Sequence, residues 1–110
     1  MKITTSPALE PKIGCIETAM GVIGSKWTAL ILRDLALGPQ RFCALEKSIG
    51  RINPRTLSKR LDDLEAGGII TAVESKEAPQ HAAYALTQKG RDLIPLLRHM
   101  ARWGEKYSGR

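Results

Sequence analysis

The sequence predicts a mainly α domain with one small β-hairpin, arranged as a winged helix-turn-helix. Three observations carry that expectation. Apolar residues recur at helical spacing in four successive segments up to position 66, a β-branched run follows, and a long amphipathic segment closes the chain. The third and fourth helical segments are joined by a tight turn containing Gly50, the signature of a helix-turn-helix. With 110 residues the chain suffices for one domain and is too short for two comfortable cores.

Each element has its own local reason. Residues 1–13, with Pro7 and Pro11, read as a flexible or loosely attached arm, which leaves 14–110 as the folded domain. A short helix over 15–23 fits Ile16, Ala19, Met20 and Ile23 and stops at Gly24. Ser25 is a plausible N-cap for "KWTALILRDLAL", which ends at Gly38-Pro39; Trp27, Leu30, Ile31 and Leu35 form its expected buried face, with Arg33 outward. Phe42, Leu45 and Ile49 stripe a third helix that stops at Gly50. Asn53 and Pro54 supply an N-cap and a proline at the first helical position for a fourth helix. That helix buries Leu57, Leu61 and Leu64 and closes at Gly67-Gly68. "IITAVES" and "HAAYAL" read as the two strands of a hairpin, joined through "KEAPQ". Thr87 is placed to cap a final helix with Leu93, Leu96, Leu97, Met100, Trp103 and Tyr107 on its apolar side. Pro95 is expected to interrupt that helix and remove one backbone hydrogen bond.

Charge is concentrated rather than scattered. The chain carries a net +6, and Arg41, Lys47, Arg51, Arg55, Lys59 and Arg60 face the single acid Glu46 within twenty residues. A basic segment of this kind suits an anionic polymer. In a helix-turn-helix the second helix enters the major groove of DNA and offers its N-terminal residues to base edges and phosphates. Asn53, Arg55, Thr56, Ser58, Lys59 and Arg60 are therefore the candidate reading residues, with Arg41 and Arg51 flanking them. Arginine can grip guanine with two hydrogen bonds, and Ser or Thr can bond bases or phosphates. Asp62, Asp63 and Glu65 follow where a groove would curve away. For the hairpin two readings stand. Lys76 and His81 could track the phosphate backbone, or the hairpin could be passive, since Glu74 and Glu77 oppose them.

Cys15 sits near the predicted start of the first helix, close to Lys12. A thiol there gains thiolate character from the helix dipole, which suits an oxidant or electrophile sensor; the plainer reading is a small buried hydrophobe. Cys43, beside Phe42, reads as packing. His81 and His99 stand alone, and no zinc, P-loop or Ser-His-acid pattern can be assembled, so no enzyme, metal or cofactor is expected. The N-terminus lacks the apolar run of a signal peptide and no span of about 18 apolar residues occurs, so a cytoplasmic protein without a membrane partner is expected. Surplus apolar surface on the first and last helices predicts a homodimer through Ile16, Met20, Ile23, Leu97, Met100, Trp103 and Tyr107.

The run from Cys15 onward resembles the HxlR-type branch of the MarR-like winged-helix transcription regulators, over roughly positions 14 to 107. The resemblance rests on Gly24 to Trp27 leading into "LILRDL", on Arg41-Phe42 with Leu45, on Ile52 through Leu61 with Leu64, Glu65 and Gly68, and on "YALTQKG" from Tyr84 to Gly90. It implies homodimeric regulators built from the first and last helices, some of which sense electrophiles or oxidants through a cysteine at the position of Cys15. The chain departs from the family in following Cys15 with Ile16 rather than proline. It also has Gln80-His81 and Ala83 where the wing often carries an arginine and a glutamate. The expected function is a sequence-specific DNA-binding transcriptional regulator reading a pseudo-palindromic operator on double-stranded DNA, with a small electrophile or oxidant as effector. The alternative is a winged helix used as a protein-interaction module.

Overall fold

The computed structural model describes residues 13–73 and 83–108. Over these the chain runs as α1 (Ile13–Ile23), α2 (Lys26–Leu35), β1 (Gln40–Arg41), α3 (Phe42–Ile49), α4 (Pro54–Ala66), β2 (Ile70–Val73), β3 (Ala83–Leu86), α5 (Gln88–Arg91) and α6 (Ile94–Tyr107). This is a winged helix-turn-helix. The three strands form one antiparallel sheet in the order β1-β3-β2, with Ile70 opposite Leu86, Val73 opposite Ala83 and Gln40 opposite Tyr84.

The helices start where the sequence places caps. The Ser25 hydroxyl accepts the Trp27 N–H at 3.2 Å, and the Asn53 side chain accepts the Arg55 N–H at 2.8 Å ahead of Pro54. Each satisfies an amide that the first helical turn leaves without a backbone partner. Gly50 ends α3 at φ +88, a conformation that any side chain would strain. The core gathers Ile23 from α1, Ile31, Leu32 and Leu35 from α2, Leu45 from α3, and Leu57, Leu61 and Leu64 from α4. Ile52, Ile69, Ile70 and Leu86 close it from the connections and the sheet.

Four expectations need correction. The inner row of α2 is Thr28, Ile31, Leu32 and Leu35, joined by Asp34, while Trp27 and Leu30 are half-buried. Ala29, Leu30 and Arg33 border a groove shared with α6, and the opposite row meets the core. The short strand β1 went unexpected, because two residues cannot display an alternating pattern. The final segment is two helices rather than one, and the break at Asp92 and Leu93 precedes Pro95. Pro95 therefore falls in the first turn of α6, where its missing N–H costs no helical hydrogen bond. Lastly, α1 begins at Ile13, ahead of the expected start at 15, so Cys15 lies inside the first turn rather than at its first residue.

Candidate DNA-binding face

The face is built on α4. Successive residues turn by about 100°, so Leu57, Leu61 and Leu64 occupy one side and Arg55, Lys59 and Asp62 the other. The leucines are buried, and Arg55, Ser58, Lys59, Asp62 and Asp63 are exposed. Arg55 thus stands in the first turn, next to the capped N-terminus, with Lys59 one turn on. Lys59 Nζ lies 3.1 Å from Asp63 Oδ1, and both side chains are more than half exposed. Such a surface pair contributes about 0.2–1 kcal/mol, little enough for a phosphate to displace the acid.

The C-terminal end of α4 is held by "YALTQKG". The Ile69 N–H reaches the Leu64 carbonyl at 2.9 Å, and Lys89 Nζ donates to the Gly67 carbonyl at 2.9 Å. The Thr87 hydroxyl donates to the Gly68 carbonyl, with the Ile69 carbonyl also within 3.0 Å, while accepting the Gly90 N–H at 3.1 Å. A Cβ at Gly90 would run into the Ile69 carbonyl oxygen, so glycine is required for this close approach. The motif is a clamp joining the end of α4 to the root of the hairpin. Tyr84, half-buried on β3, faces the same end: burial raises its pKa above 10.0, and the charges of Glu65 and Asp62 push it the same way.

Not every candidate residue lies on the outer ridge. Thr56 is half-buried. Arg60 stands to the inner side, its Nε buried without a hydrogen-bond partner and its side chain lining a small cavity with Gly21, Val22 and Thr28. It faces α1 and α2 rather than a groove, because position 60 is three residues after the buried Leu57. The Asn53 oxygen is occupied by its cap. Arg41, at the N-cap position of α3 without a side-chain capping bond, is exposed, as are Arg51 in the turn and Lys47 on α3. Lys47, exposed on α3, was not among the candidate residues, although the local charge count already contained it. Lys76 and His81 lie outside the described residues, so the wing's contacts do not enter the geometry.

Both cysteines are exposed, Cys15 on the first turn of α1 and Cys43 on that of α3, which corrects the reading of Cys43 as packing. The apolar faces of α1 and α6 divide. Ile23 is buried in the domain's own core, which leaves it no face for a partner, while Leu97 is half-buried against that core. Ile16, Met20, Met100, Trp103 and Tyr107 remain exposed, Trp103 at 68% and Tyr107 at 63%, with their rings 5.0 Å apart.

The profile of the HxlR-like helix-turn-helix family matches residues 22–110. The chain belongs to the HxlR-like helix-turn-helix family. Among its relatives is a Bacillus subtilis protein named YdeP, described as an uncharacterized HTH-type transcriptional regulator. It is 40% identical over 98 residues, which cover 88% of this chain and 77% of that protein. A Methanothermobacter thermautotrophicus protein of the same description is 37% identical, covering 84% and 70% of the two chains. The solved structure of the redox regulator HypR in its oxidized form superposes with a TM-score of 0.76 at 33% identity, covering 83% of this chain and 94% of HypR. The reduced form of the B. subtilis transcriptional regulator YodB gives 0.75 at 29% identity, covering 94% and 95%. Membership of this family makes the chain a helix-turn-helix transcriptional regulator. Among the described residues no single helix is long and apolar enough to cross a membrane.

Proposed function

We propose that the protein is a homodimeric, sequence-specific DNA-binding regulator that lays the outer ridge of α4 in the major groove. The carrying observation is the exposed Arg55 and Lys59, one turn apart beside the capped N-terminus of a helix fixed by three buried leucines. Arg41, Lys47 and Arg51 extend the positive surface on either side of the turn, where phosphates would run. Two copies joined through α1 and α6 would read a pseudo-palindrome whose half-sites lie about one helical turn, or a multiple, apart. The protein acts by binding rather than by catalysis, and its DNA partner is expected to be met in the cytoplasm. Gel-shift titration against the protein's own upstream DNA at several salt concentrations tests this. Affinity should fall steeply with salt, and Arg55→Ala with Lys59→Ala should lower both the affinity, at least tenfold, and the salt slope, by about two. Binding indifferent to salt or to the double substitution sinks the proposal and favours a protein-interaction role.

A second element of the reading concerns Cys15. It is exposed on the first turn of α1, and structural relatives of the chain include HypR, a redox regulator solved in oxidized and reduced forms, and diamide-treated YodB. The thiol is positioned for a small oxidant or electrophile to reach it and alter DNA affinity. Diamide should change the affinity of the wild type and of Cys43→Ser but not of Cys15→Ser. An unchanged response in Cys15→Ser removes Cys15 as the trigger.

A further inference from the structure

A cleft of about 520 Å³ opens between the end of α2, the root of β3 and the start of α6. Its floor is apolar, formed by the buried Leu35 and Leu86. Leu37 and Pro39 wall one side and Ile94 and Pro95 the other. Leu37 is 85% exposed there. The lining also holds two arginines, no acid and no aromatic ring. Arg91 is held in place, donating to the Leu86 carbonyl and to Gln88 Oε1, both at 3.1 Å. Arg98 makes no ion pair among the described residues.

From this we infer that the cleft binds an aliphatic carboxylate, with the carboxylate on the Arg98 guanidinium and the chain along Leu37, Pro39, Ile94 and Pro95. Guanidinium and carboxylate match as a two-pronged pair, and a volume of several hundred Å³ is that of ordinary small-molecule sites. The absence of rings in the lining favours a flexible hydrocarbon over a flat one that would need a stacking partner. The cleft is also separate from the dimer face. Leu96 and Arg98 are two residues apart on α6, so they point about 200° apart around its axis. Coverage of Met100, Trp103 and Tyr107 by a second copy leaves Arg98 facing α2. A ligand seated here touches both the hairpin root and the dimer helix. On the regulator reading, it is therefore placed to alter how two reading heads are spaced.

The test uses the full chain, with octanoate below its micellar range as probe and backbone amide NMR as readout. Acetate, which lacks the tail, and 1-octanol, which lacks the charge, are the controls. Octanoate should move the Leu37, Leu86 and Ile94 amides saturably, at least tenfold more weakly in Arg98→Gln and in Leu37→Glu, whose exposed position keeps the fold out of question. No saturable shift, equal affinity in Arg98→Gln, or an equal response to 1-octanol overturns the inference. Gel shifts run without octanoate on the same samples keep the two readings apart: lost octanoate binding with DNA binding intact removes the cleft alone, and the converse removes the regulator alone.

Discussion

The helices α4 and α6 are nearly equal in length, 13 and 14 residues, and both are amphipathic, yet they use their apolar sides in opposite ways. In α4 the stripe of Leu57, Leu61 and Leu64 is sealed inside the domain, and the polar ridge is what it offers outward. In α6 no residue is buried; Leu96, Met100, Trp103 and Tyr107 face solvent. A stripe that the core covers fixes a helix as part of a rigid head. A stripe left open on a long helix asks for a partner of the same chemistry, and a second copy supplies one by symmetry. The contrast is thus between a helix whose apolar side its own domain covers and a helix whose apolar side the domain leaves open.

The comparison can be broken most forcefully at the leucines. Leu61→Ala should destabilise folding by about 2–5 kcal/mol in chemical denaturation, the range for a truncated core leucine, whereas Met100→Ala should cost the monomer less than about 0.5 kcal/mol. Equal costs would mean that α6 is packed as α4 is. Next in size is the assembly itself. Trp103→Glu should weaken the dimer by about 2 kcal/mol or more, roughly thirtyfold in dissociation constant, as read by sedimentation. A wild type that is monomeric at low micromolar concentration would end the idea of a shared seam.

A smaller effect sharpens the comparison within α4. Arg55→Gln should weaken DNA binding by about 1–3 kcal/mol, the worth of a bidentate base contact, and Arg60→Gln should leave it within about twofold. The two arginines are five residues apart, but one stands on the ridge and the other turns toward α1 and α2. Equal losses on the gel would show that Arg60 swings out to DNA and that its inward pose does not persist in the complex.

What was legible in the sequence follows from how locally each feature is determined. The cap at Asn53, the proline after it, the leucine stripe of α4 and the stop at Gly50 each depend on a few neighbours, so their positions could be read directly. The basic ridge was legible as charge, but the inward turn of Arg60 was not. Its direction depends on where α1 lies, and nothing within α4 encodes that. For the same reason the seam list mixed Ile23 with Ile16 and Met20: all three share a helix, and only the tertiary packing sends Ile23 into the core. The clamp formed by Thr87, Lys89 and Gly90 joins segments about twenty residues apart, beyond the reach of any periodicity argument. The cleft under Arg98 likewise exists only where three elements meet.

The smallest expected effect probes the end of α4 that the basic ridge does not use. Tyr84 sits half-buried against that end, and burial, followed by the charges of Glu65 and Asp62, holds its phenol protonated past 10.0. The neutral phenol is therefore the form the folded state favours. Its contribution is fully present below the pKa of the unfolded chain and is lost as pH rises through the raised value, because the unfolded state releases its proton first. Tyr84→Phe cannot ionise and should escape that alkaline loss. In denaturation series from neutral pH to about pH 11, the stability of wild type relative to Tyr84→Phe should fall only above 10.0. Asp62→Asn with Glu65→Gln should remove only part of that fall, since burial is the larger cause. If the double substitution removed all of it, the acids of α4 rather than the packing of the hairpin would govern Tyr84. The charge switch along the helix would then act on the wing as well as on the groove.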